Sequence, residues 1–182
     1  DNYAPGLGPQ QWNSAVGLPL TPDGTPAAQR IVIGEFDMTA NQTSVNALLS
    51  QCGLPTVTFG TDTNPWYPVG AATGAEATLD ASVIAGALPA NAEIVMVNTS
   101  SNSGWYGLVA TAADACGLTF STDPTVELPQ LTPGPDFPAG GCIVSLSYGG
   151  AESGQIGAPD RSHADWIMQE LAENGVIVVV SA

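Results

Sequence analysis

The chain reads as short apolar runs separated by stretches in which apolar residues recur at helical spacing. Arg30 to Phe36 (RIVIGEF), Thr56 to Phe59, Glu93 to Val97 (EIVMV), Cys142 to Leu146 and Val176 to Val180 are too short for helices and rich in β-branched residues, so they predict strands. Between them, Ser44 to Gln51, Ala75 to Leu88, Trp105 to Cys116 and Asp160 to Asn174 predict helices. Gly53 and Pro55 terminate the first and Pro89 the second. In the last, Ala164, Ile167, Met168, Leu171 and Ala172 stand at core spacing and Gly175 is the stop. Strands that are apolar throughout, alternating with helices, predict an α/β fold with a mainly parallel sheet and helices on both faces. The final run, Val176 to Val180, is expected to be a core strand, with more chain needed to cover its exit.

Three stretches break the alternation. The first 29 residues are rich in Pro and Gly and are expected to wrap the surface. Asp62 to Gly74 reads as a loop that contains Trp66 and Tyr67. Residues 121–141 hold Pro124, Pro129, Pro133, Pro135 and Pro138, so no helix can run through them. They form either an inserted loop or two short extended segments.

Composition narrows the class. With 182 residues, 44% hydrophobic and only 10% charged, the chain can bury the core of one sizeable domain and is not a disordered acidic tail. Against 17 acidic residues stand Arg30 and Arg161, for a formal charge of −15. Nucleic acid and anionic membranes are expected to be poor partners, because no basic stripe can be assembled to neutralise phosphates. Protonation at low pH relieves the repulsion among so many carboxylates while breaking few salt bridges, which suits an acidic environment. No window is long and apolar enough to span a membrane, and Asp1 onward shows no signal-like segment, so any export signal is expected to have been removed. Cys52, Cys116 and Cys142 lack the spacing of a zinc site. In an exported protein a Cys116 to Cys142 bridge is one pairing, with Cys52 free or paired elsewhere. Asn41 and Asn98 open glycosylation sequons.

The Ala75 to Leu88 helix carries the candidate chemistry. On a wheel at about 100° per residue with Glu76 at zero, Asp80 falls near 40°. Leu79, Val83 and Ala87 fall at about 300°, 340° and 20°, and Ile84 and Leu88 at about 80° and 120°. Both acids therefore lie inside an apolar arc, with Thr78 and Ser82 on the opposite face. Two carboxyls one turn apart in a poorly solvated setting cannot both ionise easily, so one pKa is expected to rise and a proton to be shared. Such a pair suits general acid/base work at a pH where histidine is already charged. The plainer alternative is a half-exposed helix end, where Glu76 favours the N-terminal dipole and Asp80 bonds a loop.

The segment GAEATLDASVIAGALPANAEIV resembles the sedolisin-family segment in which Glu and Asp stand four apart in a G-E-x-x-L-D-like setting. YAPGLGPQQWNSAVGL resembles the start of that family's mature catalytic domain, RIVIGEF its first core strand, and NGVIVVVSA the strand that leads into a G-D-S-G loop. The similarity covers most of the chain in scattered blocks, with the Pro-rich insertion outside it. It implies a subtilisin-like fold, of which residues 1–182 would be the N-terminal portion of a single peptidase catalytic domain. It also implies a secreted, acid-active serine-carboxyl endopeptidase acting on polypeptides. Glu76 would be the general base, Asp80 its supporting acid, and Glu35 an extension of the proton network. VSLSYGG resembles the family's S-x-S-W-G strand end, so Ser147, Tyr148 and Gly149 would line the substrate cleft, with Tyr148 where tryptophan is common. The nucleophilic serine, the oxyanion aspartate and a calcium site would lie beyond Ala182, in a C-terminal remainder that is expected as a second chain. No metal site is expected within residues 1–182. The other class of function compatible with these residues is a non-catalytic, peptidase-like scaffold for binding or surface attachment. His163 has no Ser or Cys motif beside it and is expected at the surface, and Asp62, Asp123 and Asp136 lack calcium-loop spacing.

Overall fold

A computed structural model describes residues 29–63, 72–87, 92–121, 130–147 and 158–180, without the side chains of 102 and 158–161. Strands and helices alternate. In chain order they are β1 (Arg30–Phe36), α1 (Gln42–Gln51), β2 (Phe59–Thr63), α2 (Ala75–Ala87) and β3 (Glu93–Thr99). A short 3₁₀ turn (Ser101–Ser103) leads into α3 (Gly104–Ala115). Then follow β4 (Leu118–Phe120), β5 (Leu131–Pro133), β6 (Cys142–Leu146), α4 (Ala158–Glu173) and β7 (Ile177–Val180).

Five strands form one sheet in the order β2-β3-β1-β6-β7, and every neighbouring pair in it is parallel. β1 lies at the centre, which is why its residues from Ile31 to Phe36 are all buried. Alternation divides the strands between two cores. Ile31, Ile33, Ile94 and Met96 face α1 and α2, packing with Val45, Leu49, Ala77 and Ala81. Val32, Phe36, Val95, Val97, Val144 and Leu146 face α3 and α4, packing with Leu108, Ala112, Ile167 and Leu171. Helices therefore cover both faces. Close packing of α3 on β1 requires Gly34, since a Cβ there would come within 2.6 Å of Leu146 and 3.1 Å of Leu108.

The bounds of β2, the Pro-rich stretch and the last strand each have a physical explanation. β2 occupies Phe59–Thr63 rather than residues 56–59, because the Asn46 side chain bonds both the N–H and the C=O of Val57 and removes it from the ladder. The strand is defined by its backbone bonds to β3 and not by its apolarity. The Pro-rich stretch contains one short strand, β5, which pairs antiparallel with β4 just before it, and residues 122–129 between them lie outside the described residues. The Glu170 carboxylate accepts from the Leu131 N–H, and the Asn174 side chain donates to the Leu131 C=O, so α4 holds β5 in place. Among the described residues the last strand is outermost in the sheet, with Ile177, Val179 and Val180 exposed by 59, 54 and 42%. α1 and α2 pack on β1 to β3, and among the described residues no helix covers β7 on that face.

Cys116 and Cys142 form a disulfide that joins the end of α3 to the start of β6, and Cys52 is free and exposed. No described helix is long and apolar enough to cross a membrane.

Candidate functional site

Parallel strands direct their carboxyl ends to one edge of the sheet, and polar residues enter the core there. Along β1 the face that carries Ile31 and Ile33 carries Glu35 next, and along β3 the face of Ile94 and Met96 carries Asn98. Glu35 and Asn98 are register partners. Ser147 follows Leu146, the partner of Gly34, at the same end of β6 and is half-buried. Glu35 is 1% exposed.

α2 is drawn over this edge by backbone pairing. Thr39 and Thr73 form a parallel bridge in which the Thr39 N–H donates to Ala72 C=O at 2.9 Å and the Gly74 N–H to Thr39 C=O at 3.0 Å. The Asn41 N–H donates to Thr78 Oγ1 at 2.9 Å, and that hydroxyl donates to Gly74 C=O at 2.7 Å. These bonds fix the first turn of α2 to the chain that leaves β1. Gly74 is required because a Cβ there would meet the Met38 side chain. Just past β1, Asp37 adopts a left-handed φ of 57°, donates its N–H to Thr99 C=O and accepts from Ser101 N–H. Aspartate tolerates that conformation because its side chain can bond locally.

Three acids thus converge. Burial first, then the negative charges of Asp80 and Glu76, push the Glu35 carboxyl from an ordinary 4.5 up to about 7. Arg30 sits at the opposite end of β1, about 16 Å away at 3.3 Å per residue, and is engaged there by Glu93 at 2.8 Å and by Ala115 C=O. The causes of the Glu35 shift are its burial and the two acids of α2. Buried oxygens without a hydrogen-bond partner among the described residues gather at this edge: Glu35 Oε1, Asp80 Oδ2, Asn98 Oδ1 and Thr99 Oγ1.

The helix wheel is corrected on one point. α2 buries Ala77, Ala81, Ser82 and Gly86, while Leu79 and Val83 are 61 and 59% exposed and Glu76 is exposed with them. Asp80 sits at the boundary, half-buried. The expected apolar arc is the outer face. Hydrophobicity is spread almost evenly around this helix, so the wheel could not choose a side. The small-residue stripe lets α2 lie close to the sheet, and Ser82 is tolerated inside because its hydroxyl donates to Thr78 C=O. The acid inside the core is Glu35, not the Glu76/Asp80 pair. Tyr148 and Gly149 lie outside the described residues, as do Trp66 and Tyr67.

Asn98 and Thr99 were not legible as site residues. Their only signal is that two polar residues follow the apolar run Ile94 to Val97 within the strand EIVMVNT. His163 is exposed and lies against Tyr106, with ring centroids 5.4 Å apart. Two open clefts lie away from Glu35. One of roughly 430 Å³ is at the amino ends of the strands beside Arg30, Glu93 and Asp114, and another of roughly 440 Å³ runs between α1 and α2 past Leu48 and Leu79. Among the described residues no group of three or more His, Cys, Asp or Glu could hold a metal ion. No protein-family model matches the chain, and no curated protein matches it significantly.

Proposed function

We propose that this chain supplies the acid/base half of the site of a secreted, acid-active serine-carboxyl endopeptidase with a subtilisin-like fold. The observation that carries the reading is the buried Glu35 at the carboxyl end of the central strand, its pKa raised to about 7 with Asp80 and Glu76 bearing on it. Crevices outside the carboxyl ends of parallel strands are where α/β proteins place their chemistry. Exposed Glu76 is free to meet a serine hydroxyl, take its proton during attack on a peptide carbonyl, and return it to the leaving amine. Asp80, half-buried one turn later, relays charge between Glu76 and the neutral acid Glu35. Ser147, with Tyr148 and Gly149 after it, lines the path of the extended substrate. On this reading the serine nucleophile, and any calcium ion, would come from polypeptide outside residues 1–182.

Glu76→Ala in the complete protein is expected to lower peptide cleavage at acidic pH by about 10²–10⁴-fold with folding intact. Near-full activity of that variant overturns the reading. A second reading, a non-catalytic peptidase-like scaffold for binding, draws on the exposed Leu79 and Val83 that flank Glu76 on the outer face of α2. It predicts no cleavage by the unaltered protein at any pH.

A further inference from the structure

Glu35 and Asn98 stand opposite one another in the β1–β3 ladder, and partners in a parallel pair point to the same face, with strands about 4.8 Å apart. Both side chains are buried, 1 and 4% exposed, and both hold an oxygen with no hydrogen-bond partner among the described residues. Asp80 Oδ2 is a third such oxygen. An ionised Glu35 would add only acceptors to this group, whereas the neutral carboxylic acid brings one O–H donor. A buried acceptor left unpaired costs about 1–3 kcal/mol, so the donor matters.

We infer that Asn98 is a positioning residue for Glu35: its amide oxygen accepts the hydrogen bond of the protonated Glu35 carboxyl and fixes the direction in which that proton points. The groups that face Glu35 agree. From α2 come Asp80 and Glu76, both of which oppose a negative charge on Glu35. From β3 comes Asn98, which is uncharged, and α1 carries no charged residue along Gln42–Gln51. Beyond β6 stands Ser147, also uncharged. The pKa of about 7 at Glu35 is in the same direction, since burial favours the neutral form. The opposite arrangement, with the Asn98 amide N–H donating to an ionised Glu35, would favour the charged form and reverse the pH dependence.

The test uses the full-length protein and two readouts. In carbon-13 NMR from pH 4 to pH 9, the Asn98 side-chain carbonyl should shift with the same midpoint as the Glu35 carboxyl, and should stay flat in Glu35→Gln. A flat Asn98 signal across the Glu35 titration overturns the pairing. In urea unfolding, Asn98→Leu should lower the folding constant roughly five- to tenfold more at pH 5 than at pH 8, the worth of one hydrogen bond. In a Glu35→Gln background, whose amide is a permanent donor, the loss should be equal at both pH values. An equal loss in the wild-type background, or a larger one at pH 8, overturns it. If Asn98→Leu does not fold, the NMR titration of the unaltered protein decides alone. Neither readout depends on peptide cleavage, so the pairing and the peptidase reading fail separately.

Discussion

Glu35 is the penultimate residue of β1, whose other residues from Ile31 onward are apolar or Gly34, and the sheet buries it as fully as the isoleucines before it. Its protonation therefore links to folding. The unfolded chain titrates Glu35 near 4.5 and the folded chain near 7, so the folded state holds a proton that the unfolded state releases in that interval. The resulting stability is fully present below pH 4.5 and is lost as pH rises through about 7, a change of up to about 3 kcal/mol. Thermal melts between pH 4 and pH 8 should show this decline in the wild type and a flatter profile in Glu35→Gln. Identical slopes would mean that Glu35 titrates normally. The residue type and its strand-end position were legible in the sequence, and RIVIGEF pointed to an acid there. That it is the most buried of the three acids was not, because burial at Glu35 comes from β3 and α2, both remote in sequence.

At the scale of elements, α2 shows what periodicity can and cannot settle. Its existence and its stop before Pro89 follow from local sequence, but its orientation depends on which face fits the sheet. Ala77 and Ala81 give the closest approach, so larger Leu79 and Val83 stay outside. Leu79→Ala is then a surface change, expected to alter stability by less than about 0.5 kcal/mol, whereas Ala81→Leu overfills the α2–sheet contact and should cost about 1–3 kcal/mol. Urea unfolding of the two variants checks the orientation, and the reverse ranking would restore the original wheel. α1 begins at Gln42, two residues before the periodic run, because Asn41 caps it by accepting from the Ser44 N–H. β2 was misplaced for the converse reason: an edge strand held by backbone bonds needs no apolar signature.

Over the whole molecule, the disulfide and the charge set the terms of stability. Cys116 and Cys142 are 26 residues apart, and the bridge ties α3 to β6 across the β4–β5 hairpin. Chain-entropy reasoning for a loop of that length gives about 3.5 kcal/mol. Replacing both cysteines with serine should lower the melting temperature accordingly. An unchanged melting temperature would show that the hairpin and its bonds to α4 already restrain this segment. A formal charge of −15 opposes compaction at neutral pH, and protonation of carboxylates, Glu35 among them, relieves it on acidification.

The sequence by itself determined the α/β class, the alternation of the main-sheet strands with their helices, and the excess of acids. These follow from local apolar periodicity and from counting charges, and neither depends on remote contacts. Only the tertiary structure decided which face of α2 is inside, that Ile177 to Val180 is the outermost of the described strands beside β6, and that Glu35 rather than Glu76 or Asp80 is the acid enclosed by the core. Each of these turns on strand register and helix docking. Residues as far apart as Glu35 and Asn98 become neighbours through the β1–β3 ladder, and no local pattern encodes that pairing.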